Sequence, residues 1–466
     1  MIGTSTNNIK ELGVNSTLFH TFKSAHENLL LEIDSGRILQ VPTSLLNTIE
    51  YALDAGDVQR AEMMALMAGV KPINEPAIAP PRSVAVQSFS LAIAQKCNLG
   101  CTYCYAEQGT FGGRPDNMSI DVAKASVDRL FKDAPSGEGI TLAFMGGEPL
   151  FNRKVLFETT EYAEEKAKEL GQNIGFTLTT NGTLIRPEDA AFFHRYKFTV
   201  TVSIDGIGKT NDELRPYVSG KGSFDRIKEK LKLLFTIPNR NFKVLARVTV
   251  TPKNLDLPET FQGLLDLGFD SIQFSPMVKS PNGTQEMQQR DFDVLLGQLT
   301  ACGEMFRKGF MNKQLLPLQN VLSTLNRIHN YQREMYPCGA GGGYMGVSAD
   351  GELYACHRFV NDDEGHMGDV KNGVSEDKQE KWLKTRHLSE QSACTTCWAR
   401  YMCSGSCHHE VIKRGRPACD YIRGWLQYCL GLYVDLLKTD PNGLALLLGD
   451  NNAITAMAED EDGTGI

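Results

Sequence analysis

The stretch AIAQKCNLGCTYCYAEQG, residues 92–109, decides how this chain is interpreted. It carries Cys97, Cys101 and Cys104 directly after an apolar run, with the spacing C-x3-C-x2-C. Zinc fingers and ribbons generally use C-x2-C pairs and close a tetrahedral site with four ligands. A 4Fe–4S cluster also takes four ligands, ordinarily cysteine thiolates. Three thiolates from one loop would leave one iron without a protein ligand, free to bind a small chelating molecule.

Length and composition place the chain among large globular proteins. It has 466 residues, 41% of them hydrophobic, and a net charge of -8 at pH 7, enough for one large domain with smaller ones beside it. It contains no run of about 18 apolar residues, and its start lacks a basic segment followed by an apolar core. We therefore expect a cytoplasmic protein with no membrane span. The absence of a dense basic stripe argues against nucleic acid as a partner.

The cysteines indicate metal binding or thiol chemistry rather than disulfides. The chain has 12 cysteines, and eight of them lie between positions 338 and 429. Disulfide scaffolds are typically short and secreted. In a reducing compartment, clustered cysteines more often hold metal or react.

The chain divides into four predicted parts: residues 1–75, 76–335, 336–435 and 436–466. In the first part, NLLLEI and RILQV flank DSG and predict a hairpin with Gly36 in the turn. PTSLLNTIEYAL then predicts a helix with Thr43 or Ser44 near its N-cap. Four prolines in KPINEPAIAPPRS, residues 71–83, predict an extended linker. The last part is predicted to be a helix and a disordered acidic tail, AMAEDEDGTGI.

The second part alternates β-rich runs with amphipathic helical stretches such as SIDVAKASVDRLFKDA. Six strands are predicted, at 89–94, 140–146, 175–182, 198–206, 244–252 and 271–278. This alternation indicates an α/β fold with a parallel sheet. Six units are too few for a closed eight-stranded barrel but fit a partial (β/α)6 barrel. In such folds the chemistry lies at the carboxyl ends of the strands.

The cysteine loop after strand one, with Tyr103 just before its last cysteine, resembles the signature of radical S-adenosylmethionine (SAM) enzymes. The resemblance implies that the open iron of a 4Fe–4S cluster binds the amino and carboxylate groups of SAM. The reduced cluster then cleaves SAM to methionine and a 5'-deoxyadenosyl radical, so the cofactor carries the difficult chemistry. It also implies a reductant such as flavodoxin or ferredoxin.

Three further motifs match the same family in register at successive strand ends: MGGEP (145–149), TTNG (179–182) and SIDG (203–206), with RPYVSGKGSFD soon after. The resemblance implies a set of cofactor-binding residues: Tyr103, Gly146, Gly147, Glu148, Asn181, Ser203 and Arg215. Within that set, Gly146, Gly147 and Glu148 would bind the amino group of SAM. Ser203 and Arg215 would bind its ribose and carboxylate. Glu148 alone could instead be an acid at a helix entry.

Asp205 is a candidate general base because it lies at a strand end. The alternative is that it only forms the turn.

The third part carries a second cysteine system that resembles the SPASM extension of radical SAM enzymes that modify peptides and proteins. Cys356 follows Gly351 in a G-x4-C spacing, and a C-x2-C-x5-C-x3-C run follows. The resemblance implies two auxiliary iron–sulfur clusters, three clusters in all. The outer one would be held by Cys394, Cys397, Cys403 and Cys419. The inner one would be held by Cys338, Cys356 and Cys407.

The inner set is one thiolate short of four. Relatives that mature sulfatases have a further cysteine between its first two members, but residues 339–355 contain none. Our hypothesis is an open iron that binds a substrate thiolate. The alternatives are Cys302, Cys429, a histidine such as His357, or a 2Fe–2S cluster. For Cys302 and Cys429, buried packing is the better interpretation. CHH at 407–409 could suggest a zinc site. A structural role is the better interpretation, because adjacent side chains rarely chelate one metal together.

The first part is similar to the leader-binding units of ribosomal-peptide maturases, which capture a precursor segment as an added strand. The alternative is an ordinary docking subdomain. This first part, together with an inner set that is one thiolate short, resembles the maturases of quinohemoprotein amine dehydrogenase. Those enzymes build thioethers between Cys and Asp or Glu. We therefore predict a radical SAM maturase that forms thioether crosslinks in a peptide or small protein. The alternatives are a sulfatase-type maturase that makes formylglycine, a SPASM enzyme that forms C–C crosslinks, and a non-enzymatic iron–sulfur or zinc protein.

Overall fold

The computed structural model describes residues 16–72 and 77–449. The start of the chain, residues 73–76 of the proline-rich linker and the acidic end AMAEDEDGTGI lie outside the described residues. Within those ranges, no helix is both long and apolar enough to cross a membrane.

The first part of the chain forms a small α+β unit with its own apolar core. Its elements are β1 (Phe19–Lys23), β2 (Asn28–Glu32), β3 (Ile38–Gln40), α1 (Thr43–Asp54) and α2 (Val58–Met67). The predicted hairpin is confirmed as β2–β3, with Gly36 at φ +71°. The sequence did not predict β1, which pairs antiparallel with β2, or α2. The N-cap of α1 is Pro42, and the Thr43 hydroxyl accepts a hydrogen bond from Asn28 at 2.9 Å rather than capping the helix.

The second part is a partial barrel of six parallel strands, as predicted. The strands are β4 (Ser88–Ala94), β5 (Ile140–Gly146), β6 (Ile174–Thr180), β7 (Thr199–Ser203), β8 (Lys243–Val250) and β9 (Ser271–Pro276). The helices are α3 (Ile120–Asp133), α4 (Arg153–Leu170), α5 (Pro187–Arg195), α6 (Lys209–Leu214), α7 (Phe224–Phe235), α8 (Leu257–Leu267), α9 (Gln289–Met311) and α10 (Gln319–His329). Their apolar faces pack with the strands into the main core of the protein.

The cysteine-rich part has only short strands. Its strands are β10 (Tyr344–Val347), β11 (Glu352–Tyr354), β12 (His366–Asp369) and β13 (Gly373–Val374). Its helices are α11 (Glu376–Arg386), α12 (Ser392–Thr395), α13 (Arg400–Cys403), α14 (His408–Arg414) and α15 (Cys419–Thr439), and α16 (Pro441–Leu448) follows.

This part is not separated from the barrel by a break in the sheet. Strand β10 pairs parallel with β4, so one sheet runs in the order β13-β12-β11-β10-β4-β5-β6-β7-β8-β9. Its residues Phe359, Trp382 and Trp398 belong to the same core as the barrel strands. The shared sheet fixes the cysteines of this part against the first barrel strand.

Candidate active site at the carboxyl ends of the parallel strands

A cavity of about 420 Å³ opens where the carboxyl ends of the barrel strands meet. Cys97, Cys101 and Cys104, on the loop after β4, line one side of it. Parallel strands place their carboxyl ends at one edge of the sheet, so the loops after β5, β6 and β7 reach the same cavity. Four residues from those loops or from strand ends line it: Gly146, Gly147, Asn181 and Ser203.

Two glycines bring the end of β5 directly against the cysteine loop. Gly146 has φ +144°, and a Cβ there would collide with the carbonyl oxygen of Ala94. A Cβ on Gly147 would collide with the carbonyl of Lys96. The N–H of Gly147 donates to Ala94 at 2.8 Å. Only glycine permits this approach.

Glu148 is fully buried and does not line the cavity. Its carboxylate accepts three hydrogen bonds: from the Leu150 N–H at 3.1 Å, the Thr180 hydroxyl at 2.7 Å and the Asn181 N–H at 2.7 Å. Burial raises the pKa of Glu148, and these hydrogen bonds oppose that rise. In this structure the side chain therefore joins the loop after β5 to the end of β6. The sequence had assigned it to the amino group of SAM, which remains a prediction.

Asn181 lies beside the first cysteine of the loop. Its side-chain amide donates to Asn98 at 2.9 Å and approaches the sulfur of Cys97 at 3.6 Å. Its carbonyl oxygen accepts from the Thr183 N–H at 2.9 Å and the Thr183 hydroxyl at 2.7 Å. This network fixes the cysteine loop relative to the end of β6.

Tyr103, Asp205 and Arg215 form a buried group behind and beside the cavity. Arg215 donates from Nη1 to the Tyr103 hydroxyl at 2.8 Å and lies 3.4 Å from Oδ2 of Asp205. The Tyr103 hydroxyl also bonds to Asp205. The other carboxylate oxygen of Asp205 accepts from the Thr249 N–H at 2.8 Å. Tyr103 and Arg215 line the cavity but Asp205 does not, so here Asp205 positions Arg215. Its role as a general base remains a prediction.

The three loop thiols suit a cluster better than a single ion. Burial raises the pKa of Cys97 to about 11 and that of Cys101 to about 12. Such thiols become thiolates when a metal replaces their protons. Among the residues that the structure describes, no three His, Cys, Asp or Glu side chains converge tightly enough for one metal ion. Three thiols spread around a cavity with an adjacent guanidinium fit a 4Fe–4S cluster and an anionic chelating cofactor.

The remaining predicted ligands are the cysteines of the third part of the chain. Burial raises the pKa of Cys403 to about 11, and the neighbouring thiols Cys419, Cys394 and Cys397 add to the rise. Burial raises the pKa of Cys356 to about 12, with Cys407 and Cys338 nearby. The assignment of these cysteines to an outer and an inner cluster remains a prediction.

The candidate fourth ligands of the inner set lie in different surroundings. Cys302 on α9 and Cys429 on α15 are fully buried in the apolar core, in agreement with packing. The His357 ring lines the cavity and its Nδ1 lies 2.6 Å from the Tyr344 hydroxyl. His408 accepts from Arg386 at 3.2 Å, a structural contact rather than chelation.

Sequence reasoning missed several polar residues that line the cavity: Tyr105, Arg247, Gln273, Tyr344 and Arg358. In register, Arg247 on β8 lies beside Ser203 on β7 and Gln273 on β9. The alternation of VLARVTV held a signal, since it places Arg247 on the same face as Thr249. The sequence of β8 alone does not show which of its two faces points into the barrel.

Comparison with known proteins gives the family. The radical SAM superfamily model matches residues 91–253. Over 212 residues the chain is 31% identical to uncharacterized protein MJ0907 of Methanocaldococcus jannaschii, covering 45% of this chain and 70% of that protein. The chain belongs to the radical SAM superfamily and is an enzyme of that class. A radical SAM domain implies a 4Fe–4S cluster and SAM, and the loop thiols fit them.

Other similarities extend into the cysteine-rich part. Over 299 residues the chain is 26% identical to a cysteine-type anaerobic sulfatase-maturating enzyme of Clostridium novyi, covering 60% of this chain and 76% of that enzyme. A solved structure of native anSMEcpe with bound AdoMet and Cp18Cys peptide has a TM-score of 0.62 and 20% identity. It covers 76% of this chain and 99% of that chain. At that identity the likeness shows the fold alone.

Proposed function

We propose that this protein is a radical SAM maturase that forms a thioether between a cysteine sulfur and a carbon of another residue, such as Asp or Glu, in a peptide or small protein. One observation carries the proposal. The cavity that touches Cys97, Cys101 and Cys104 is also lined by Tyr344, His357 and Arg358 from the SPASM-like part. A substrate in this cavity would reach both the radical-generating centre and the inner auxiliary set.

The 4Fe–4S cluster with SAM would supply the 5'-deoxyadenosyl radical that takes a hydrogen from the substrate. The residues of this chain would bind the cofactor and orient it. Arg215 presents a guanidinium whose direction is fixed by Tyr103 and Asp205, and a planar fork suits a carboxylate. Ser203 lies at the end of β7 on the same cavity wall. Gly146 and Gly147 line the cavity without side chains, so an amino acid moiety could approach their backbone closely.

The inner set supplies the reason for choosing a thioether. Cys338, Cys356 and Cys407 are the predicted inner set, and residues 339–355 contain no further cysteine. We propose that a substrate cysteine supplies the fourth sulfur at this set and so lies beside the cavity. The outer set, with four cysteines of its own, would then be complete.

The N-terminal unit would bind a leader segment of the substrate. Strand β3 lies at the edge of its three-stranded sheet, where an extended peptide can add as a strand. The unit packs onto the cysteine-rich part: His20 stacks on Trp398 at 3.7 Å, and Arg400 pairs with Asp34 at 2.9 Å. A leader held there would be near the auxiliary clusters.

A sulfatase-type maturase is the second candidate, favoured by the similarity to the Clostridium novyi enzyme and to peptide-bound anSMEcpe. The two reactions leave different products. A thioether keeps the sulfur and removes two hydrogens from the peptide. The carbon-bound hydrogen atom would go to the 5'-deoxyadenosyl radical, the thiol proton would be released, and the remaining electron would pass to an auxiliary cluster. Formylglycine made from cysteine loses the sulfur.

The test is anaerobic reconstitution of the full chain with iron and sulfide, followed by SAM, a strong reductant and candidate peptides. The candidates are a cysteine-containing peptide encoded beside the gene and a sulfatase-type peptide. We expect 5'-deoxyadenosine from the wild type and none from Cys97→Ala. We also expect the first peptide to lose two hydrogens and retain its sulfur. Absence of 5'-deoxyadenosine would refute the radical SAM assignment. Sulfur loss from the second peptide would favour the sulfatase-type reaction.

A further inference from the structure

Arg247 is a guanidinium in the cavity that lies outside the predicted set of cofactor-binding residues. It lies on β8, where Leu245, Arg247 and Thr249 face the cavity and alternate with buried residues of the core. Among the described side chains its hydrogen-bond partner is Gln273, whose carbonyl oxygen accepts from Nη1 at 2.6 Å. A guanidinium has five N–H donors, so most of its donors are left for a ligand in the cavity.

The other two arginines of the cavity are neutralised by carboxylates. Arg215 pairs with Asp205 at 3.4 Å, and Arg358 pairs with Glu410 at 2.7 Å. Within the described part of the chain, no Asp or Glu lines the cavity and no carboxylate forms an ion pair with Arg247. The cavity wall at β8 and β9 therefore carries one uncompensated positive charge.

Burial lowers the pKa of Arg247, and the positive charge of Arg358 lowers it further. A partly buried charge without a counter-ion in contact is costly. An anion placed in the cavity beside Arg247 would remove that cost.

Gln273 completes the geometry of an anion site. Because its carbonyl is held by Arg247, its amide nitrogen is left as a further donor at the same place. A guanidinium with a neighbouring amide suits the two oxygens of a carboxylate.

We propose that Arg247 and Gln273 form a subsite that binds a carboxylate of the peptide substrate, either a side-chain carboxylate or a C-terminal one. This inference rests on the proposed function, since it places the peptide in the cavity between the radical SAM cysteines and the inner set. It assigns Arg247 to positioning the residue whose carbon reacts.

Two other roles for Arg247 must be distinguished. It would bind the carboxylate of SAM if the cofactor extended to β8. It would only balance thiolate charge if its main partner were Cys407, which lies near enough to influence its pKa.

The first experiment uses the wild-type holoenzyme loaded with SAM. Phenylglyoxal modifies arginines, and mass spectrometry of the digest gives the rate at Arg247 and, as an exposed control, at Arg226. Three capped residues serve as competing probes. N-acetyl-glutamic acid α-amide carries a side-chain carboxylate, N-acetyl-glutamine carries an α-carboxylate, and N-acetyl-glutamine amide carries neither.

We expect at least one carboxylate probe to slow modification of Arg247 by about tenfold, with no effect on Arg226. The probe that protects Arg247 shows whether the subsite binds a side-chain carboxylate or a C-terminal one. Equal protection by all three probes, or no reaction of Arg247 in the free enzyme, would overturn the proposal.

The second experiment compares Arg247→Gln and Arg247→Lys with the control Arg226→Gln. We expect all three to keep the iron content and SAM affinity of the wild type within about twofold, because Arg247 is assigned to neither. Loss of SAM affinity would assign Arg247 to the cofactor, and loss of iron would assign it to the inner cluster. A wild type that makes no 5'-deoxyadenosine would instead refute the proposed function itself.

Discussion

The Glu148 carboxylate accepts a hydrogen bond from the backbone N–H of Asn181 at 2.7 Å. The same carboxylate also accepts from the Thr180 hydroxyl, at 2.7 Å. Since Glu148 follows β5 and Asn181 follows β6, the pair holds two loops of the cofactor site at a fixed separation. A family motif that implies a cofactor contact thus acts in this structure as a brace behind the cavity wall.

Glu148→Gln is expected to weaken both the fold and the cofactor site. The new amide group would face N–H and O–H donors, leaving buried donors unpaired at a cost of about 1–3 kcal/mol. Differential scanning calorimetry and SAM titration would show a lower melting temperature and weaker SAM binding. Glu158→Gln, on the exposed face of α4, is the control. Weaker SAM binding at an unchanged melting temperature would instead indicate direct contact between Glu148 and SAM.

Tyr103→Phe is expected to loosen Arg215. The change removes the hydroxyl that Arg215 bonds at 2.8 Å while keeping the ring. A net hydrogen bond contributes about 0.5–1.5 kcal/mol, so the dissociation constant of SAM should rise about threefold to tenfold. Equilibrium dialysis of the reconstituted enzyme measures it, with Tyr162→Phe on α4 as the control. An unchanged affinity would mean that Asp205 alone suffices to orient Arg215.

Substitution of the inner cysteines is expected to remove one cluster and leave the others. Cys356→Ala and Cys407→Ala should each lower iron and sulfide content by about a third, if three clusters are present. Cys302→Ala should keep full content because Cys302 lies in the apolar core of α9. Iron loss from Cys302→Ala at an unchanged melting temperature would mean that Cys302 ligates the inner cluster.

The N-terminal unit should become less stable in acid because of Glu32. Burial alone would raise the pKa of Glu32, but hydrogen bonds from Arg37, Ser35 and the Lys71 N–H lower it below its usual 4.5. A carboxylate with a lowered pKa stabilises the fold above its unfolded pKa, and this stability is lost as the pH falls through the folded value.

Hydrogen exchange of the β2–β3 amides checks this prediction. Glu32→Gln should speed exchange near pH 7, consistent with a loss of about 1 kcal/mol, and should differ less from the wild type near pH 4. The control is Glu50→Gln, because Glu50 on α1 forms an exposed ion pair with Lys23 on β1. A difference that grows as the pH falls would contradict the assignment.

The barrel was the most predictable part of the chain. Its six strands, such as ITLAFMG at 140–146, carry β-rich runs bounded by turn residues, and the structure has β5 at the same residues. Local pattern suffices there because each buried strand must be apolar. The short β1, FHTFK, was missed because its pattern is partly polar and its partner β2 decides its conformation.

The sequence by itself determined the chemistry that is available. The spacing of Cys97, Cys101 and Cys104 and the order of the strand-end motifs are local properties of the chain, and they led to the radical SAM class. The division of the later cysteines into two sets is what their resemblance to the SPASM pattern implies.

Only the tertiary structure decided where each group acts. Pairing of β10 with β4 joins the cysteine-rich part to the barrel, so Arg358 and His357 line the same cavity as Cys97. Packing also left Arg247 facing that cavity without a carboxylate partner among the described residues. Contacts between residues more than a hundred positions apart depend on how the sheet is assembled, and spacing along one chain does not encode that directly.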